Sequence, residues 1–304
     1  MALIECIPNV SEGRRAGAIE ACARAIRESG AHLLDVSSDR AHNRTVYSFA
    51  GTAPAIQAAV LALFDRALAE IDLRQHSGVH PRIGAVDVVP FVPLGGTTIA
   101  DCAALAKTTA AEVSSRHQLP IFLYEQSATA TSRRNLEDIR RGGFEGLAAK
   151  LARPEWRPDF GPSAPHPTAG ASVFGARTTL IAYNINLATA ETAIAKGIAA
   201  AVRESSGGLP YVKAMGVALA DRGIVQVSMN LTNYRKTSMV QVFDAVKREA
   251  TRRGVAVLGS EIVGLVPADA LREDAARHLQ LPEAVEDQIL ETRLNRRDRE
   301  PSLD

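Results

Sequence analysis

Within nine residues, 76–84, the chain carries two histidines, an arginine and two glycines, and an apolar run over 85–92 follows at once. Imidazole has the side-chain pKa nearest neutrality, so a positioned one both takes and returns a proton within a single turnover. His80 is the first candidate for that work. His76 and His80 have the spacing of a helical zinc pair, yet Pro81 biases His80 towards extended or turn geometry and away from such a helix. A metallohydrolase built on His76, His80 and Asp87 therefore lacks its geometry, no further ligand cluster is evident, and no metal is expected. His76 reads either as a partner that orients His80 or as an ordinary loop residue. Arg44 and Arg82 suit bidentate pairing with substrate carboxylates, or equally internal salt bridges.

Other residues stand behind these. Asn9, Ser11 and Gly13 offer a turn of backbone donors or a cap for the first helix. The stretch 156–170, with its prolines and glycines, excludes helix and central strand and reads as a loop of the kind that lines ligand sites. Asn184 and Asn186 alternate with apolar residues and so share one face of a strand, a costly placement unless that face lines a site. His42 and His166 are lesser site candidates, while His32, His117 and His278 read as structural.

The elements that must position these residues follow from periodicity. Residues 3–7 form a short apolar strand ended by Pro8, and 9–15 a polar turn into a helix carrying Ile19, Cys22, Ala23 and Ile26 on one face, stopped by Gly30. A strand at 33–36, a polar loop at 37–44 and a strand at 45–50 come next. Ile56, Val60, Leu61, Phe64, Leu68 and Ile71 trace an amphipathic helix. The run 85–92 is apolar enough to be buried on both faces. A helix over 99–117 and a strand at 121–124 extend this half, and 125–177, rich in proline, glycine and charge, reads as an excursion and linker with one short helix near 135–140. Then a strand (179–187), a helix (190–203), a hairpin of 212–219 and 224–231 about Asp221-Arg222-Gly223, a helix from Val240 to Ala250 and a strand at 255–258 repeat the order βαββαβ. The duplication implies an α+β protein of two ferredoxin-like halves, residues 1–178 and 179–304, with helices packed on the sheets. Short helices are expected at 268–279 and 282–294, and a frayed end from 295.

The totals narrow the function classes. Lys plus Arg number 35 and Asp plus Glu 34, so no net field favours nucleic acid or a membrane surface. Small-molecule substrates fit better. Three cysteines without CxxC spacing suit a reducing compartment, and neither a targeting segment nor a membrane-spanning run is evident, so cytoplasm is the expectation.

Six segments in order along the chain (5–13, 43–47, 78–87, 158–164, 175–177 with 184–187, and 259–267) resemble the formiminotransferase family. That resemblance implies transfer of the formimino group from formiminoglutamate to N5 of tetrahydrofolate in histidine breakdown, with tetrahydrofolate as co-substrate in a cleft between the two halves and a homodimer as the assembly. The cyclodeaminase domain that follows in many animals has no counterpart here, so a separate enzyme would act on the product. The catalytic histidine of the family falls on His80, as general acid and base. Its folate loop falls on Gly161, Pro162, Ser163, Ala164, Pro167 and Gly170, while Pro165, His166 and Ala169 depart from it.

Two further departures concern the donor. The animal pattern has an acid just after the second strand and another before the histidine, where this chain has Ser37 and Val79. A protonated amidine is cationic and gains from a nearby carboxylate, which Asp39 is placed to supply. Asn43, Arg44, His76, Arg82, Asn184 and Asn186 complete the supporting set. The alternatives are a folate-dependent transferase with a different formimino or formyl donor, and a folate-binding protein that does no chemistry. Val79, apolar beside His80, implies a lowered rather than raised imidazole pKa.

Overall fold

The computed structural model describes residues 2–271 and 275–296. The chain divides into two compact units, Met1–Thr178 and Thr179–Asp304.

The first unit holds a seven-stranded mixed sheet. β1 (Ala2–Cys6) lies between β4 (Arg44–Gly51) and β5 (Val86–Gly95), and β3 (His32–Asp39) pairs the outer side of β4, all antiparallel. β2 (Asn9–Val10) continues the line of β1 between the same two neighbours. Here the structure corrects the expected polar turn: Asn9 and Val10 are a buried strand, because Pro8 interrupts β1 without turning the chain out of the sheet. The strand over 33–36 likewise runs on through Asp39, and Arg44 opens the next, so Asp39 and Arg44 are paired opposite one another rather than loose in a loop.

Three helices cover one face. α1 (Ala16–Glu28) buries Ala18, Cys22, Ala23 and Ile26, the i, i+4 stripe that periodicity predicts. α2 (Ala53–Glu70) buries Ile56, Val60, Leu63, Phe64 and Ala67. α3 (Ile99–His117) starts in a reciprocal cap: Thr98 Oγ1 accepts from Asp101 N at 3.2 Å, and the Asp101 carboxylate accepts from Thr98 N at 2.9 Å. Tyr47, Phe49, Phe91 and Phe174 meet these helices in one core.

The excursion after β6 (Ile121–Leu123) is the larger correction. It is no linker. β7 (Ser172–Ala176) inserts between β5 and β6, parallel to both and wholly buried. Around it α4 (Leu136–Arg140) and α5 (Leu147–Leu151) cover the other face of the sheet, burying Ile139, Leu147 and Leu151 against Val88, Phe122 and Val173. A five-residue strand containing a glycine is too short to outweigh its surroundings in a reading by composition.

The second unit is a four-stranded antiparallel sheet in the order β11-β8-β10-β9: β8 (Ile181–Leu187), β9 (Val212–Leu219), β10 (Ile224–Leu231) and β11 (Val257–Val263). α6 (Thr192–Val202) and α7 (Met239–Arg252) pack on it through Ile198, Val202, Val242, Phe243 and Val246. The hairpin forms as expected, its turn ending at Gly223 with φ +63°. β11 runs past residue 258 through the bulge at Gly259 to Val263. In the tail, α8 (Ala275–His278) and α9 (Leu290–Arg296) replace longer expected helices. The expected helix at 268–279 crosses residues outside those described, as does most of the expected frayed end.

Candidate active site

Ile4, Cys6, Tyr47 and Phe49 face the helices, so alternation along β1 and β4 turns Glu5, Ser48 and Arg44 to the opposite face. At the end of that face the chain crosses three times, after β2, between β3 and β4, and over 76–85. Asn43 joins the three. Its Oδ1 accepts from Gly13 N at 2.9 Å, its Nδ2 donates to the Ser77 carbonyl at 3.0 Å, and its φ of 49° is a left-handed value that Asn tolerates better than most residues. The crossings are close: a Cβ on Gly78 would lie 2.3 Å from the His42 carbonyl oxygen.

A small cavity opens among these crossings, lined by Asn9, His42, Arg44, His76, His80 and Asp87 with four neighbours. His80 is half-buried there, and its Nδ1 lies 2.8 Å from the Pro81 carbonyl oxygen. A carbonyl only accepts, so Nδ1 carries the hydrogen and Nε2 holds the free lone pair. Burial foremost, then the positive charges of Arg44 and Arg140 and the nearby His42, hold the imidazole well below its ordinary pKa against the pull of that carbonyl. At neutral pH it is a neutral base. The pKa is lowered, as expected, but by burial and the cations rather than by Val79, whose side chain is exposed.

His42 meets the His80 ring edge to face, centroids 5.7 Å apart, and the Asp39 carboxylate sits 3.4 Å from His42 Nδ1 while accepting from His42 N at 2.7 Å. Asp39 thus comes to the site through His42. Arg44 donates to Asn9 Oδ1, and its Nε is buried without an acceptor among the described residues. Burial and the like charge of Arg140 push its pKa down to about 10.

His76 and Arg82 are occupied elsewhere. Nε2 of His76 donates to the Asn43 carbonyl at 2.9 Å and its Nδ1 accepts from Arg82 Nε at 3.0 Å, so neither ring nitrogen is left for His80. Burial lowers the His76 pKa, with Arg82 adding to it. Arg82 forks onto Glu145 at 3.0 and 2.8 Å, and side-chain hydrogen bonding from Arg82 lowers the Glu145 pKa to about 2. Behind the loop, the buried Asp87 accepts from Ile83 N at 2.7 Å and Gly84 N at 3.3 Å through one oxygen, and from Arg140 Nε at 2.8 Å through the other.

The segment 161–170 ends against this loop. Ala85 N donates to the Ala169 carbonyl at 3.0 Å and Ala171 N to that of Ile83 at 3.0 Å, while Gly161, Pro162, Ser163, Ala164 and Pro167 stay exposed. Gly170 is buried with φ +70°. His166 Nδ1 accepts from Ala169 N at 3.0 Å, which makes it the internal cap of this turn. In the second unit Asn184 donates to Glu261 at 3.2 Å, and Gln226 donates to both Asn186 and Glu261 at 2.9 Å.

Residues 3–177 match the formiminotransferase domain, N-terminal subdomain, and residues 182–292 the formiminotransferase domain. The chain belongs to the formiminotransferase family. Over 296 residues it is 46% identical to the glutamate formimidoyltransferase of Streptococcus pyogenes serotype M1, covering 96% of this chain and 98% of that one. With the glutamate formimidoyltransferase of Thermoplasma acidophilum it shares 43% over 301 residues, 97% of this chain and 98% of the other. The formimidoyltransferase-cyclodeaminase of Dictyostelium discoideum is 44% identical over 277 residues, which span 88% of this chain and 51% of that one.

In this family member, reading by residue type left out Arg140, Asp87 as a loop anchor, Glu145, Gln226 and Glu261, and did not foresee the contact of His42 with His80. A signal existed for His42 alone: Asp39 and His42 have the three-residue spacing of a side-chain turn. The others owe their place to tertiary pairing.

Proposed function

We propose that the chain is a glutamate formimidoyltransferase, moving the formimino group of N-formimino-L-glutamate to N5 of tetrahydrofolate in histidine degradation, with His80 as proton-transferring residue. The observation that carries the chemistry is His80 with Nδ1 tied to a carbonyl, Nε2 open and the ring kept neutral by burial and cations. Near-full-length identity to named glutamate formimidoyltransferases supports the substrates. Nε2 takes the proton released when N5 attacks the formimino carbon. Arg44, cationic with its Nε uncommitted, suits a donor carboxylate or the developing charge of the adduct. Arg82 and His76 hold the loop, as their internal bonds suggest. Gly161, Pro162, Ser163, Ala164, Pro167 and Gly170 form the folate loop, consistent with bonds that tie its end to the His80 loop.

The two units act as the N- and C-terminal transferase subdomains. Each carries a βαββαβ run whose strands lie in the order fourth, first, third, second, which supports the ferredoxin-like description: β5-β1-β4-β3 in one and β11-β8-β10-β9 in the other. Asn184 and Asn186 are assigned to substrate contact on the strength of their buried polar cluster. The working assembly is a homodimer in the cytoplasm; among the described residues no helix is long and apolar enough to cross a membrane.

Replacing His80 by Ala tests the reading. Transfer from formiminoglutamate should fall about 10²- to 10⁴-fold while the tetrahydrofolate dissociation constant stays close to that of the parent. Unchanged turnover removes His80 from the chemistry.

A further inference from the structure

The loop assigned to folate is held at its two ends. Among the described residues nothing from Gly161 to Pro165 makes a hydrogen bond, and Gly161, Pro162, Ser163 and Ala164 are exposed. Pro162 and Pro165 fix φ at two of those positions, so the aim of the loop is set where it is anchored. The far anchor is the turn at 166–170, where His166 N donates to the Gly170 carbonyl at 2.8 Å and Gly170 N to that of His166 at 2.9 Å.

The near anchor is a buried ion pair. Asp159 keeps 7% of its side chain exposed and Arg133 9%. Asp159 Oδ2 accepts from Leu123 N of β6 and from Arg133 Nη1, each at 2.8 Å, and Oδ1 accepts from Thr129 Oγ1. Arg133 closes a single 3₁₀ turn, Thr131–Arg133, and its Nη2 donates to the carbonyls of Glu155, at 3.3 Å, and Arg157. Residues 155, 157 and 159 are thus gathered on one guanidinium, which lies 5.5 Å from the Phe122 ring centroid. Phe160 then donates to the Ile121 carbonyl at 3.2 Å and accepts from Ile121 N at 2.9 Å. Gly161 leaves the sheet with φ +86°, where a Cβ would stand 2.4 Å from the Leu119 carbonyl oxygen. Desolvation offsets much of the attraction in so buried a pair, whereas a rigid fork that holds three points of one segment fixes its direction.

We propose that Arg133 and Asp159 are positioning residues for tetrahydrofolate, aiming the loop at 161–170 from its near end. This rests on the assignment of that loop to folate. Neither residue lines the cavity that holds His80, so the pair acts on binding and not on proton transfer. A loosened anchor leaves the loop aligned for only part of the time, and the apparent affinity falls by that fraction. Bound tetrahydrofolate restores the alignment, and transfer then proceeds at the parent rate.

Arg133→Lys keeps a cation beside Asp159 and loses the fork to the two carbonyls. Its tetrahydrofolate dissociation constant should rise about tenfold, while kcat at saturating tetrahydrofolate and KM for formiminoglutamate stay within about threefold of the parent. The acid limb of its pH–rate profile should not move. Asp159→Asn removes the charge and one acceptor oxygen, should also weaken tetrahydrofolate binding, and serves if circular dichroism shows that Arg133→Lys does not fold. A folded variant whose urea midpoint drops while its tetrahydrofolate affinity stays within about threefold has lost stability alone, and overturns the proposal. So does a fall in kcat as large as the rise in the dissociation constant. Ser163→Trp tests the loop assignment separately, by placing bulk in the exposed loop. Unchanged tetrahydrofolate affinity in that variant removes the reading on which the proposal rests, a result distinct from failure of the pair.

Discussion

A base that burial and two guanidinium groups keep neutral should work well below the usual histidine range. As the proposed base His80 must be deprotonated, and its pKa is lowered, so kcat/KM should hold as pH falls through about 6.5 and decline only at lower pH. Arg140→Gln takes away one of the opposing charges, which raises the His80 pKa and moves that decline to higher pH. A pH–rate profile of both proteins checks it: an acid limb at or above the unperturbed value in the parent, or one unmoved in the variant, counts against the assignment. At this scale the sequence was partly legible. His80 stood out because proline follows it and glycines flank its loop. The contact of His42 with His80 did not, since it depends on β3 continuing to Asp39, where composition suggests a loop. Arg82 drew notice as a carboxylate clamp because its partner, Glu145, lies 63 positions on, in a stretch that reads as linker.

The loop that carries His80 is held by backbone approaches that no side chain announces. Gly170 has φ +70°, and a Cβ there would stand 2.0 Å from the Ile83 carbonyl oxygen; Gly223, with φ +63°, has open space around it. Alanine at Gly223 should therefore cost about 1–2 kcal/mol, the ordinary penalty of left-handed backbone. Alanine at Gly170 adds a collision with the Ile83 backbone of the His80 loop, and should cost more than that and lower transfer as well. Urea unfolding of the two variants decides: equal losses would mean that the turn at 166–170 yields freely. Helices with a single apolar stripe, α1, α2, α3 and α7, were legible almost to the residue. Of the stretch 125–177 only α4 was legible, as the short helix near 135–140; β7 and α5 were not, because each is five residues long and gives too few periods to register. Their order comes from burial of Ile139, Leu147 and Val173 on the sheet.

Across the whole molecule, the lowered histidines bear on stability as well as on catalysis. His76, His80, His117 and His166 all lie in the first unit, and burial lowers the pKa of each. The unfolded chain binds protons at these positions once pH drops below about 6.5, while the native unit resists until lower pH. Between those limits the unfolded state holds more protons, so stability falls as pH falls. Glu12 and Glu145 have the other kind of group's dependence: their lowered values stabilise the unit above about 4.5, and that contribution is lost only in stronger acid. The histidine window therefore comes first on acidification. Trp156, the one tryptophan, packs edge-on against Phe122 with Lys150 Nζ 4.4 Å from its ring centroid, all within the first unit, so its fluorescence reports that unit's unfolding. The urea midpoint followed by Trp156 should move to lower urea between about pH 7 and about pH 5.5, before the lowered carboxyls of Glu12 and Glu145 titrate. A midpoint that stays level or rises over that range would mean that these imidazoles charge in the native unit as readily as in the unfolded chain, and His80 would then lose the neutral state on which its role as a base depends.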